Sequence, residues 1–296
     1  MTGLLEAPKA DLPGGRFPGR SGARRVSRGW RSVLLSVLAW LAGLAVFSPF
    51  AWMVITAFKP EAEAVTSTPT IIFTPTLNQF ENAFNNNFLV YFINSTTITV
   101  VSTVIVIVLA VPAAYALSIR PVVRWRDVLS FLLTTRMLPI VGAIVPIYLL
   151  ALELHLLDQV STLIVLYTAM NVPLAVWLIR SFMMEIPREV LEAARVDGVS
   201  LRQEITRIVL PMITPGLSAT ALLCVIFSWN EFFLAVNLTT TNASTVPMYL
   251  VGFISSRGLF LAKLSAASVL ATLPVVIAGL IAQKQLVRGL SLGAVK

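Results

Sequence analysis

Charge is scarce in this chain. Asp, Glu, Lys and Arg make up only 12% of its 296 residues, against about 25% in an ordinary soluble domain. With 57% of the residues apolar, a water-soluble fold of this size has no way to hide so much hydrocarbon. The single cysteine, Cys224, lies in an apolar run and excludes an intrachain disulfide. The single histidine, His155, has no second His or Cys at ligand spacing, so no metal site is expected. There is no G-x-x-x-x-G-K-[ST] phosphate loop and no Gly-Lys pair anywhere, which excludes ATP hydrolysis by that route. Nothing resembles a catalytic constellation, and no catalytic residue is assigned.

What is present is a series of long apolar runs. A helix needs roughly 20 mainly apolar residues to cross a bilayer. Runs of that kind begin with Val33 to Ala57 and recur at about 93–119, 128–152, 160–183, 215–238 and 264–287. The first is too long for a signal-peptide core and has no convincing cleavage site, so it is read as a retained helix. The expected fold class is therefore an all-α integral membrane protein with about six transmembrane helices.

The placement of the net charge of +8 supports this. Lys9, Arg16, Arg20, Arg24, Arg25, Arg28 and Arg31 precede the first run, in a Gly- and Pro-containing arm with no apolar period. Arg120, Arg124 and Arg126 mark one later loop, and Arg188, Arg195, Arg202 and Arg207 another. The loops between them, Lys59 to Asn87 and Glu153 to Asp158, are poor in Lys and Arg. The positive-inside rule then puts both termini in the cytoplasm, with the stretch holding Arg257 and Lys263 fitting least well. No nucleic acid is expected as a partner, because no aromatic series alternates with the arginines as a stacking platform. Membrane lipid is the solvent.

The loop from Glu185 to Met212 is well punctuated. Pro187 suits the start of a helix, Arg188 to Val196 is rich in helix formers, and Asp197-Gly198 supplies a stop. Ser200 with Gln203 reads as a capping box that opens a second helix ending near Leu210-Pro211. Ala193 and Ala194 leave room for close approach of another protein, and Glu192 offers a charge. From periodicity alone, a partner seat and a surface hairpin lying on the membrane stand as equal readings.

Glu192-Ala193-Ala194, then Gly198, then Ile208-Val209-Leu210-Pro211 resembles the EAA loop of binding-protein-dependent ABC importer permeases in spacing and position. Thr135 to Pro139, Asn171-Val172-Pro173 with Trp177, and Ser228 to Phe232 are similar to the carbohydrate branch of that family, the maltose-type inner-membrane subunit. The block from Gly258 to Ser268 and the C-terminal Gln283 to Lys296 are similar to sorbitol/mannitol permeases. The resemblance implies a type I ABC importer permease fold in a bacterial cytoplasmic (inner) membrane, moving a sugar or polyol by alternating access. It implies that 185–212 is the coupling loop: Glu192, Ala193, Ala194, Asp197, Gly198, Ile208, Leu210 and Pro211 would meet the ATPase. It implies as partners a second homologous permease, two ATP-binding cassette subunits and an extracytoplasmic solute-binding protein. ATP and Mg would be bound by the partner ATPase, with no cofactor in this chain. The organisation expected is a flexible arm (1–32), a transmembrane domain (33–290) and a cytoplasmic tail (291–296) reaching the ATPase interface.

Polar groups within the spans are the remaining candidates. A charge at mid-membrane costs at least roughly 2.5–3.5 kcal/mol, so Arg136 and Glu231 should face a cavity or a partner. They are expected to border the translocation path, with mutual pairing as one arrangement; a packing role is the alternative. Asn171, Trp229 and Asn230 are candidates for the same path, and Ser95, Thr99, Ser102 and Thr103 recur at helical spacing as packing groups. A non-carbohydrate importer of the same architecture and an ion-driven secondary transporter remain the rival readings.

Overall fold

The computed structural model describes residues 30–66, 70–255 and 258–293. The expected basic arm falls outside these residues apart from its last three positions, as do the tail residues 294–296. The chain divides into two units, Met1–Pro49 and Phe50–Lys296. Within the first, residues 30–49 form the leading part of helix α1, Trp30–Ala57. Everything below concerns the second unit.

Long apolar runs become long helices. Helix α4 covers Phe88–Ser118, α7 Val160–Met183 and α14 Leu261–Gly293, close to three of the expected spans. Much of α4 is Val, Ile and Thr, residues that favour strands in water. In lipid each backbone group must be satisfied within its own segment, and the helix prevails. The short helices α2 (Glu61–Ala64) and α3 (Asn78–Asn85) lie between α1 and α4.

The expected continuous span at 128–152 is corrected by the structure: it is two helices, α5 (Trp125–Met137) and α6 (Ile140–Glu153), bent by 89°. Pro139 causes the break. A residue before proline is driven out of helical geometry, and Leu138 accordingly adopts φ −64°, ψ 128°. Pro112, Pro146, Pro173 and Pro274, by contrast, stay inside their helices.

The expected span at 215–238 is also interrupted. Helix α11 runs over Thr214–Trp229 and α12 over Phe233–Leu238. The Glu231 carboxylate accepts the Leu234 and Ala235 amides at 2.9 and 3.4 Å, so a side chain lost from the span caps its restart. Helix α13 (Val246–Val251) and a two-residue antiparallel pair, β1 (Ile254–Ser255) with β2 (Gly258–Leu259), precede α14. Ile254 faces Leu259 and Ser255 faces Gly258 in that pair.

Packing fixes how the passes are stacked. Helices α4 and α7 form the most extensive interface, and Ala110, Ala114 and Ala175 are fully buried, the small residues that let membrane helices approach closely. The two run in the same direction. Ile98 shares a core cluster with Leu163 and Tyr167, while at the other end the Leu117 carbonyl accepts the Arg180 side chain at 3.0 Å. A chain leaving α4 at one end and entering α7 at the opposite end must cross back between them. The bent α5–α6 pair does so: Trp125 packs near the α4 terminus, and Ala151 near the α7 start. By the same reasoning α11 and α12 together make one crossing, from Ile213 in the first cluster to Leu238 in the third.

Candidate functional site

The connection from α7 to α11 is a folded hairpin. Helix α8 spans Arg188–Val196 and turns its buried Leu191 and Ala194, three residues apart, to the bundle. It ends in a Schellman motif: the Val199 amide donates to the Ala194 carbonyl and the Gly198 amide to that of Arg195, both at 3.1 Å. Gly198 takes φ 74°, the left-handed conformation that glycine adopts without steric cost. The capping box forms as expected, with the Gln203 amide on the Ser200 hydroxyl at 3.4 Å and the Ser200 amide on Gln203 Oε1 at 3.1 Å.

The second arm goes further than expected. Short α9 (Leu201–Gln203) leads into a π-helical turn over Glu204–Val209 and then α10 (Leu210–Met212), so the helix continues past Leu210-Pro211 to Met212. Pro211 has no amide to offer the carbonyl four residues earlier, which suits the wider π register. At Ile213 the chain bends by 80° into α11.

This places the coupling candidates on different surfaces. Glu192, Ala193, Asp197, Gly198 and Pro211 are exposed, Ile208 and Leu210 are half-buried, and Ala194 faces the protein's own core. Val196 is 87% exposed beside them. A cavity of ≈ 520 Å³ lies under α8, lined by Trp125, Arg180, Arg188, Leu191, Glu192 and Arg195 among others.

What holds the hairpin down was not foreseen from the sequence. Glu204 is fully buried. Its Oε1 accepts the Tyr115 hydroxyl at 2.8 Å and Arg195 Nη2 at 3.1 Å; its Oε2 accepts Arg120 Nη2 at 3.1 Å and Arg195 Nε at 3.4 Å. Burial pushes its carboxyl upward, but the hydrogen bonds from Arg195 and Tyr115 and the charges of Arg195 and Arg120 outweigh this, holding it below its ordinary value. One of four glutamates in a loop carrying four arginines gave no signal of its own, because its partners come from three separate elements.

The span candidates do not form one cluster. Arg136 lines a cavity of ≈ 440 Å³ at the α5–α6 break, donates to the Met170 carbonyl at 2.6 Å and lies over the Phe227 ring. Glu231 is engaged with the α12 amides, so the Arg136–Glu231 pairing is corrected: among the described residues the ion pairs involve only Arg120, Arg195 and Glu204. Asn171 is fully buried and donates to Ser228 Oγ at 3.0 Å, with the Ser102 hydroxyl 3.5 Å from the same oxygen; Thr99 and Thr103 are also buried on α4. Trp229 is buried and its indole N–H meets the Ala271 carbonyl at 3.1 Å; Asn230 is exposed.

At the opposite end of the bundle two further charged devices, one half-buried and one buried, escaped sequence reasoning. Asp158, at φ 56°, accepts the amides of Thr240, Thr241, Asn242 and Ala243. Lys59 is 2% exposed, donates to the Thr70 carbonyl and lies over Trp52, 4.4 Å from the ring centre.

A hairpin of this build on a multi-pass helical frame has clear counterparts. The model of the family described as binding-protein-dependent transport system inner membrane component matches residues 107–292, from the middle of α4 through the hairpin to α14. The chain belongs to this family. It is 39% identical over 271 residues to the "Probable ABC transporter permease protein y4oR" of Sinorhizobium fredii, covering 91% of this chain and 98% of that one. It is 31% identical over 270 residues to the trehalose transport system permease protein SugB of Mycobacterium tuberculosis, covering 90% and 98%. Its fold is similar to that in the crystal structure of a bacterial ABC transporter that imports the acidic polysaccharide alginate, with a TM-score of 0.70 at 23% identity over 88% of this chain and 97% of that one. As a member of this family the chain is a multi-pass inner-membrane permease subunit of an ABC importer, a transport component and not an enzyme.

Proposed function

We propose that this permease carries a sugar or a closely related polyhydroxylated solute across a bacterial inner membrane, with α8 seated in a cleft of a partner ATPase. The observation that carries the reading is the division of α8 into two faces. Leu191 and Ala194 are buried in the permease, whereas Glu192, Ala193 and Val196 stand free on the other side. A nearly fully exposed valine beside a small residue and a carboxylate fits a protein partner better than water.

Binding and hydrolysis of ATP with Mg belong to that partner. The full assembly comprises this chain, a second homologous permease, two ATPase subunits and an extracytoplasmic solute-binding protein. Both termini lie in the cytoplasm, the side that the arginines of the hairpin also mark. The carbohydrate class is supported by a relative named for trehalose transport at 31% identity; a polyol such as sorbitol or mannitol is the narrower version, carried by the resemblance of the C-terminal blocks. Work is done by stabilising two conformations unequally, not by chemistry on the solute.

The test is uptake of labelled trehalose, maltose, sorbitol and mannitol in the native host with and without this gene. Loss of one or more of these on deletion, restored by the wild-type gene and not by Glu192→Lys, is the expected outcome. Unchanged uptake of all carbohydrates, with loss of an amino acid or phosphate, would refute the solute class.

A further inference from the structure

Coupling through α8 requires that its displacement reach the rest of the bundle, and the structure contains one feature suited to that. We propose that Glu204 is a positioning residue, a charged pin that makes α8, the end of α4 and the α4–α5 connection move as one body when the ATPase closes. This rests on the coupling role of α8 proposed above.

Three observations converge. Glu204 is completely buried, and both of its oxygens are fully used. Desolvating a carboxylate is costly, and removing one partner of such a group leaves an uncompensated buried charge; the cluster therefore resists being pulled apart. Its partners are distributed: Arg195 comes from α8, Tyr115 from the last turn of α4, and Arg120 from the connection that leads to α5. Arg195 is three residues from Glu192 on a helix of nine, so displacement of the exposed face reaches the pin through a rigid element.

The geometry also favours transmission over simple fastening. Arg195 presents two nitrogens to the carboxylate, a planar fork that fixes orientation as well as distance. The pin stands at the first residue of the π-helical turn, a form that recurs at functional sites. Beyond that turn the chain enters α11 through the 80° bend. One anion thus joins the coupling helix to α4 and, through the backbone, to α11. The apolar burial of Leu191 and Ala194 is non-directional, and the fork of Arg195 on Glu204 adds the fixed orientation that it lacks.

The experiment uses the full complex, purified from the native host through a tag on this chain. Spin labels are placed by Val123→Cys and Val190→Cys, at positions 93% and 39% exposed and outside the α8 residues proposed to meet the ATPase, with the buried native Cys224 replaced by Ala. With Glu204 intact, the inter-label distance should stay narrow and unchanged when ATP and vanadate close the ATPase. In Glu204→Gln it should broaden and shift with nucleotide by at least about 1–2 Å, the scale of helix displacements in switching proteins, while ATP hydrolysis continues. Arg120→Gln, which removes a side chain 48% exposed, should act in the same direction and carries the test if Glu204→Gln fails to assemble. A distance that remains narrow and independent of nucleotide in these variants would overturn the pin. Glu192→Lys serves as the separate control: if it leaves ATPase association and hydrolysis untouched, the coupling reading of α8 falls, whatever the distances show.

Discussion

At the scale of single residues, the side chains that organise this protein are charges satisfied by backbone or by one another. Asp158 shows this on the end of the bundle away from the hairpin. Burial alone would raise its carboxyl, but the amides of Thr240, Asn242, Ala243 and Thr241 reverse the effect and hold it well below the usual carboxylate range. Asp158→Asn keeps the shape but loses the charge, and should destabilise the detergent-solubilised protein by about 2 kcal/mol at neutral pH, the scale of hydrogen bonds to an ionised group. Because the folded value is depressed, the wild-type advantage is complete above the usual carboxylate range and is lost as pH falls through the folded value. Thermal unfolding of both forms across pH should show the curves converging only in acid; a constant gap would contradict the assignment to the ionised carboxylate. Val196 makes a prediction of a different kind. It is 87% exposed, so Val196→Asp should leave folding intact while weakening co-purification of the ATPase at least about fivefold, the loss of one modest interface contact.

At the scale of elements, two glycines set what the hairpin and its neighbouring helix can do. Gly198 occupies φ 74° at the end of α8, where a side chain costs about 1–2 kcal/mol. Gly198→Val should loosen the hairpin, detected as faster amide exchange in α8 with the spans unaffected. Gly216 has a different reason to be glycine. A Cβ there would lie 2.1 Å from the Phe182 ring, so α11 reaches α7 only because the side chain is missing. Gly216→Ala should cost about 1–3 kcal/mol by overpacking, and Gly216→Ala with Phe182→Leu should recover part of the loss in the same unfolding assay. If Gly216→Ala is neutral, this contact between α7 and α11 is not tight.

At the scale of the whole molecule, the parallel course of α4 and α7 requires a complete crossing between them, although neither α5 nor α6 is long enough alone. Single cysteines make the topology measurable. A thiol at Val123, in the α4–α5 connection, and one at Val196 should react with a membrane-impermeant reagent from the same side. A thiol at Asn242, in the loop held by Asp158, should react only from the other. Labelling of all three from one face would mean that α4, whose first turns lie beside Asn242, does not cross the membrane. Three core clusters fill the bundle: one beneath the hairpin and two towards the other end of α4, an aromatic one around Phe88, Trp229 and Tyr249 and one around Ile98, Tyr167 and Leu163.

Much of this was legible in the sequence. Long apolar runs, sparse charge and alternating arginine-rich loops determine a multi-pass helical protein, because a bilayer leaves the backbone almost no alternative. Pro187, Gly198 and the Ser200–Gln203 pair determine the hairpin for local reasons, since caps and left-handed stops act within a few residues. Pro139 also announced itself, but whether a proline kinks, breaks or is absorbed depends on its neighbours: Pro112 and Pro173 are absorbed and Pro139 is not. Only the tertiary structure decided the partners of the charges away from solvent-facing loops, half-buried Arg136 and Glu231 and buried Glu204. Arg136 found a carbonyl and a ring instead of Glu231, Glu231 found helix amides, and Glu204 found Tyr115, Arg120 and Arg195, two of which lie 84 and 89 residues away. Such pairings depend on which faces of distant helices meet, and nothing local in the chain encodes that.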